Sequence, residues 1–358
     1  MTAGAPPSGP ALVSVIIPAF NAAATIIETL ASVAAQTHRQ LEILVIDDGS
    51  TDATAALVEA FGTHEPRLTL LRQANAGVAA ARNAGLAHAN GAYAAWLDAD
   101  DLWHPAKVAQ QLAVFAASAT PLGLVYTGYR LIDMHGRIIP NFRTLADVSG
   151  NSFYRQIATT YFTNVSSIMV PTALARACGG HDPRLRGWGI EAAEDLLLQL
   201  QIAYRAPFGV CHDALVGYRL HDSNMSRAAG RAAFSNLKVM ELVADMAPET
   251  PAWVFGLARA RMTGFALQML QAGDVGNATR LFWRLLRGQP AQTLMTLVLI
   301  CGWMLRAWLG RRPLDPEVGQ PFGGAAAASV PWEGHMLLTR HNRLRLDQAD
   351  AARRIGRT

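Results

Sequence analysis

Four short apolar runs, each leading into a segment of helical composition, constrain this chain more than any other feature. LVSVII (12–17) is β-branched and brief, as a buried strand is, and residues 24–36 after it are helix formers. LEILVIDDGS (41–50) precedes a helical segment at 51–61. LTLLRQ (68–73) precedes the alanine-rich VAAARNAGLAHA (78–89), and AYAAWLDADD (92–101) closes the series. Strands alternating with helices predict an α/β fold, with a mostly parallel sheet covered by helices on both faces.

In such sheets ligands bind beyond the carboxyl ends of the strands. The polar residues of the runs sit there: Asn21 after the first, Asp47 and Asp48 after the second, Asp98, Asp100 and Asp101 after the fourth. Several strands would therefore deliver carboxylates to one sheet edge. Asp98-Ala99-Asp100 is a D-x-D, a pair of hard oxygen donors suited to Mg²⁺ or Mn²⁺ shared with substrate phosphates. The competing reading is an acidic loop that solvates a turn and caps the next helix. Trp96 and Trp103, on either side, read as packing residues.

Beyond Pro105 the pattern is mixed. It predicts a helix at 106–118, strands near 122–130 and at SSIMV (166–170), and a turn at His135–Gly136. A buried helix follows from Leu196, with Glu194 and Asp195 in its first turn, where negative charge suits the helix dipole. The catalytic-type domain is expected over 12–228, after a disordered leader at 1–11. Helices at 231–246, 252–272 and 275–288 then form a region reaching 312, and a mobile basic tail covers 313–358.

Charge divides along the same line. Residues 1–228 hold 15 Lys and Arg against 18 Asp and Glu, and residues 229–358 hold 16 against 9. A basic, apolar back end points towards a membrane surface rather than nucleic acid, for which no basic-aromatic interleaving or zinc-finger spacing exists. TLMTLVLICGWML (293–305) is uncharged but covers only about 20 Å as a helix, short of the ~30 Å hydrocarbon core. An interfacial or buried helix fits it better than a full span. Arg280, Arg284 and Arg287 interleaved with Leu281, Phe282, Trp283 and Leu285 could lie on anionic lipid, giving peripheral membrane contact through 275–312. A helical bundle packed on the first domain is the alternative. Three distant cysteines (Cys178, Cys211, Cys301) and no positive charge before the first apolar run argue for a cytoplasmic protein, at the inner face of the plasma membrane if the lipid contact holds.

The blocks PAFN (18–21), IDDGSTD (46–52), NAGVAAARNAG (75–85), WLDADDLWHP (96–105), GGHDPRL (179–185), the pair Glu194–Asp195 and YRLHDSNMS (218–226) stand in the order of family 2 glycosyltransferases with a GT-A fold. The chain resembles that family, of bacterial cell-surface polysaccharide type, over residues 12–228. The resemblance implies an inverting, metal-dependent transfer of a sugar from a nucleotide-diphosphate donor, a UDP-sugar, to a glycan or lipid-linked acceptor. It implies that Pro18, Phe20, Asn21 and Asp48 contact the base, and that Arg82 and Asn83 face the ribose and diphosphate. Asp98 would lie near the ribose or a metal-bound water, Asp100 and His221 would hold Mn²⁺ or Mg²⁺ with it, and Asp195 would be the catalytic base. Trp188 and Glu194 are acceptor-side candidates. Two departures matter: Phe20 stands where tyrosine is frequent, and His181 where an aromatic is frequent.

A dehydrogenase needs a glycine-rich turn after the first strand, and PAFNAAAT has no glycine. A non-catalytic nucleotide-sugar-binding protein on the same fold is the remaining alternative. No multi-span segment suggests a processive synthase with its own channel, so single-sugar transfer is expected.

Overall fold

The computed structural model describes residues 10–140, 149–159, 164–188, 193–221, 229–271, 273–288, 294, 298, 318–322 and 340–355. The expected leader lies outside these residues up to position 9. So does nearly all of the 293–305 segment.

Strand β1 (Val13–Ala19) is buried throughout and sits inside the sheet, paired in parallel with β2 (Leu41–Asp47) on one side and β4 (Tyr93–Trp96) on the other. β3 (Leu68–Arg72) extends β2 in parallel. The helices between them are α1 (Ile26–Ala34), α2 (Thr54–Gly62) and α3 (Val78–His88). α1 buries Ile26, Thr29, Leu30 and Val33, an i, i+3, i+4, i+7 stripe. Each aliphatic member contributes about 1.5–3 kcal/mol by burial. The alanines of α3 let it lie close to the sheet. At Gly85 a Cβ would collide with Ile16 and Ile46, so only glycine permits that approach.

The sheet is mostly parallel, as expected, and its antiparallel pairings all fall in the second half. β5 (Leu102–Trp103), β6 (Leu124–Ile132), β7 (Ile168–Pro171) and β8 (Phe208–Arg219) complete the order β3-β2-β1-β4-β7-β6-β8-β5. β7 runs antiparallel to both β4 and β6, and β5 antiparallel to β8. β6 and β8 are parallel, with register shifts around Gly128. Helices α4 (Lys107–Ala117), α5 (Phe153–Thr159), α6 (Thr172–Ala177), α7 (Arg184–Gly187) and α8 (Glu194–Arg205) accompany these strands.

The back third begins with α9 (Ala229–Met246), α10 (Ala252–Gln271) and α11 (Val275–Gly288), as the sequence predicts. It does not form a separate core throughout. Val239, Met240, Val243, Val254 and Leu257 join the cluster that holds Trp96 and the buried face of α8. Ala278, Leu281 and Leu285 of α11 close a smaller cluster with Met262, Ala266 and Met269 of α10. Among the described residues no helix is long and apolar enough to cross a membrane.

The tail expected to be mobile contains a docked helix, α12 (Arg340–Ile355). Leu346 is fully buried, and the Asp350 carboxylate accepts hydrogen bonds from the Tyr154 and Arg155 amides (2.8 and 3.1 Å), capping α5. Arg353 stacks on Phe153 and Tyr204 and donates to the carbonyls of Ala203 and Tyr204 at the C-terminal end of α8. An arginine-rich segment reads as solvated, yet two of its charged residues hold helix ends.

Candidate active site

The acidic turn after β4 is tied down from four directions. On α1, the hydroxyls of Thr25 and Thr29 both donate to the Ala99 carbonyl at 2.9 Å. The Asp98 amide donates to Ser166 Oγ (3.1 Å), whose own hydroxyl donates to Asp101 Oδ2 (2.6 Å). Trp103 Nε1 donates to the Ser166 carbonyl. Asp101 is fully buried, and burial, reinforced by Asp100 and Asp98, pushes its carboxyl well above the usual range. It is the structural member of the three acids. Trp96 and Trp103 are both buried, as packing residues.

From β8, Arg219 completes the lock. Its side chain is buried and donates to the carbonyls of Asp100 (2.7 Å), Asp133 (3.1 Å) and Met134 (2.7 Å), while Nη2 pairs with Glu28. Its amide donates to Asp101 Oδ1. Sequence reading missed this residue; the signal was an arginine two positions before His221 in YRLHD. With the turn held this way, His221 Nε2 lies 2.7 Å from Asp100 Oδ2.

Asp98 faces the other way. Its Oδ1 accepts from Arg82 Nη2 (2.6 Å), and Arg82 Nη1 donates to Glu194 Oε1 (2.5 Å). Arg82 is buried; desolvation is outweighed by the charges of Asp98 and Glu194, which hold the guanidinium protonated. It therefore bridges the turn after β4 and the first residue of α8. Asp195 follows at that helix end, where burial and the charge of Glu194 push its carboxyl up to about 8. A carboxylate so tuned is basic enough to take a hydroxyl proton near neutral pH.

Other expected residues serve the scaffold. Asp48 is buried; its carboxylate accepts from Gln73 Nε2 (2.7 Å) and from the amides of Ala76 and Gly77 (both 2.8 Å), bracing the loop before α3. The neighbouring turn is capped by Asp47, which accepts from the Ser50 amide. Asn83 donates to the His181 carbonyl (2.6 Å) and accepts from the His181 amide (2.8 Å). Gly180, at φ +67°, permits this clamp, since a Cβ there would strike Asn83 Oδ1. His181 is itself buried edge-on against Trp96, with both ring nitrogens unpartnered, and burial and Arg82 keep it neutral.

Pro18 is buried in β1 opposite Ile46. Asn21, at φ +50°, accepts from the Thr51 amide and so joins the loops after β1 and β2. Phe20 is 51% exposed beside it, a free ring at the sheet edge. Trp188 is 47% exposed, with the Lys238 ammonium 5.3 Å and the Arg184 guanidinium 5.9 Å from its ring centre.

As a metal site the acidic turn is incomplete on its own: among the described residues no three His, Cys, Asp or Glu side chains form a cation-holding group. Asp100 and His221 fit as two ligands, with substrate phosphate oxygens supplying others. Asp98 fits less well, because Arg82 occupies Oδ1.

A mostly parallel sheet with carboxylates gathered at its strand ends, and an acidic helix start facing them, is the architecture of a GT-A glycosyltransferase domain. Residues 14–163 match the model described as Glycosyl transferase family 2. An uncharacterized glycosyltransferase of Rickettsia typhi is 27% identical over 222 residues, 61% of this chain and 67% of that one. Three longer Rickettsia relatives, 30% to 34% identical where they align, are spanned over only 23% to 31% of their length. Among solved structures, the Pyrobaculum calidifontis mannosyltransferase PcManGT, in complex with GDP-Man and Mn²⁺, aligns with a TM-score of 0.54 at 20% identity, covering 85% of this chain and 89% of that one. S. aureus TarS 1–349 with UDP-GlcNAc aligns with a TM-score of 0.52 at 20% identity, covering 73% of each. At that identity the two structures speak to the fold.

Proposed function

We propose that the protein transfers a sugar from a UDP-sugar to a hydroxyl of a glycan or lipid-linked glycan, with inversion at the anomeric carbon. The observation that carries this reading is the Arg82 bridge. One guanidinium ties the D-x-D turn to the helix start that presents Asp195, so donor and acceptor chemistry share one rigid frame.

Phe20 and the loop joined by Asn21 supply a platform for the base. Asp48 acts by holding the 73–77 loop in shape. When bound at Asp100 and His221, Mn²⁺ or Mg²⁺ supplies charge neutralisation to the departing diphosphate. Asp195 accepts the proton of the acceptor hydroxyl as its oxygen bonds the anomeric carbon. The bond from that carbon to the diphosphate oxygen breaks on the opposite side, which inverts the centre. Trp188 and Glu194 lie on the acceptor side, Glu194 through its hold on Arg82.

The test is calorimetric titration of UDP, with and without Mn²⁺, into the wild type and Asp100→Ala. Metal-dependent binding that disappears in the variant supports the reading. Failure of UDP with binding of GDP or dTDP would replace the donor base. Failure of all three would overturn the transferase itself.

A further inference from the structure

Helix α11 has one face committed and one face free. Ala278, Leu281 and Leu285 are buried against α10. The opposite positions, Thr279, Arg280, Trp283, Arg284 and Arg287, are all exposed. Arg284 reaches Glu241 at 3.2 Å, whereas Arg280 and Arg287 have no acidic partner among the described residues. Trp283 stands between them, 53% exposed.

The surroundings continue the same character. Residues 275–312 contain six arginines and no Asp or Glu. Beyond α11, Leu294 and Val298 are 53% and 72% exposed. Two exposed arginines, without an acidic partner among the described residues, on either side of an exposed tryptophan complement a surface that is anionic outside and apolar just beneath. The ring suits the headgroup level, and each arginine gains from negative headgroups.

We propose that the outward face of α11, centred on Arg280, Trp283 and Arg287, docks the protein on an anionic lipid bilayer. This deepens the reading above, and rests on it for the purpose of the contact: an acceptor glycan carried by lipid would be met at that surface. The contact itself is measurable without turnover.

The experiment is co-sedimentation of the full chain with vesicles of phosphatidylcholine plus phosphatidylglycerol, and with phosphatidylcholine alone. The protein should partition to the anionic vesicles and be released by high salt. Arg280→Glu and Arg287→Glu should each weaken partitioning by about fivefold or more, at roughly one kcal/mol per basic side chain near the surface. Trp283→Ala should weaken it in the salt-independent part. Unchanged circular dichroism, and UDP binding equal to that of wild type, would show these variants to be folded. Equal binding to both vesicle types, no binding to either, or full retention by the double arginine variant would overturn the proposal. Vesicle binding in a wild type that binds no nucleotide would leave the docking face standing and remove the transferase reading alone.

Discussion

Asp100 and His221 meet across 121 positions of sequence, Oδ2 to Nε2 at 2.7 Å. The separation matters because the two arrive from different strands, β5's approach and the end of β8, and the Arg219 lock helps to keep them facing. His221→Ala should therefore weaken Mn²⁺-dependent UDP binding by about tenfold or more while leaving the thermal midpoint nearly unchanged, since neither side chain is buried. Titration with and without EDTA checks it. An effect of equal size in EDTA would mean that His221 acts without a metal.

The proposed role of Asp195 as base fixes an expected pH dependence. Its carboxyl is raised to about 8, so the ionised, proton-accepting form grows as pH rises through that value, and the rate should climb with it. Burial contributes most and Glu194 next. Removing the neighbouring charge with Glu194→Gln should move the rising limb to lower pH. A limb that stays in place, in single-turnover rates measured from pH 6 to 9, would show that another group governs proton removal.

Removing Arg82 should cost more than a surface ion pair would. Arg82→Ala strands Glu194, a buried carboxylate, and breaking a buried pair by taking one partner away costs about 3–5 kcal/mol. Urea unfolding should show a loss on that scale. Arg82→Lys should recover only part of it, because an ammonium cannot span both carboxylates with parallel bonds.

Asp350 offers a stability test. Burial pushes its carboxyl up to about 6 in the fold, against an ordinary value near 3.9 in the unfolded chain. From about pH 4 to 6 the unfolded chain gives up this proton first, so stability should fall as pH rises, by at most about 1.4 kcal/mol per unit, and level off above 6. Asp350→Asn should flatten that part of the curve.

The first four strands and their helices were legible because each rests on local signals: apolar runs of strand length, helical segments and turn residues at the joins. The carboxylates at the strand ends followed from topology, whereas His221 was placed beside Asp100 only through the family resemblance. Asp48 and Asn83 are braced by internal hydrogen bonds that the sequence did not show, because a short polar side chain at a strand end or helix start serves equally well as a brace or a ligand contact. Nothing local distinguishes the two until the partner loop is seen. Strand β8 was missed since FGVCHDALVGYR is interrupted by His212 and Asp213, where the ladder with β6 loses register. Arg219 was overlooked for a related reason: most of its side-chain partners are backbone carbonyls, which leave no trace in sequence, so the arginine of YRLHD carried only a faint signal.

The grip of Arg353 on the carbonyls of Ala203 and Tyr204 has a consequence for the timing of synthesis. The helix that carries Glu194 and Asp195 is clasped at its far end by a side chain some 150 positions later. A growing chain on the ribosome carries the whole nucleotide-facing half of the sheet long before that clasp exists. Its acceptor side should thus mature last, so an incomplete chain would hold donor before it could spend it.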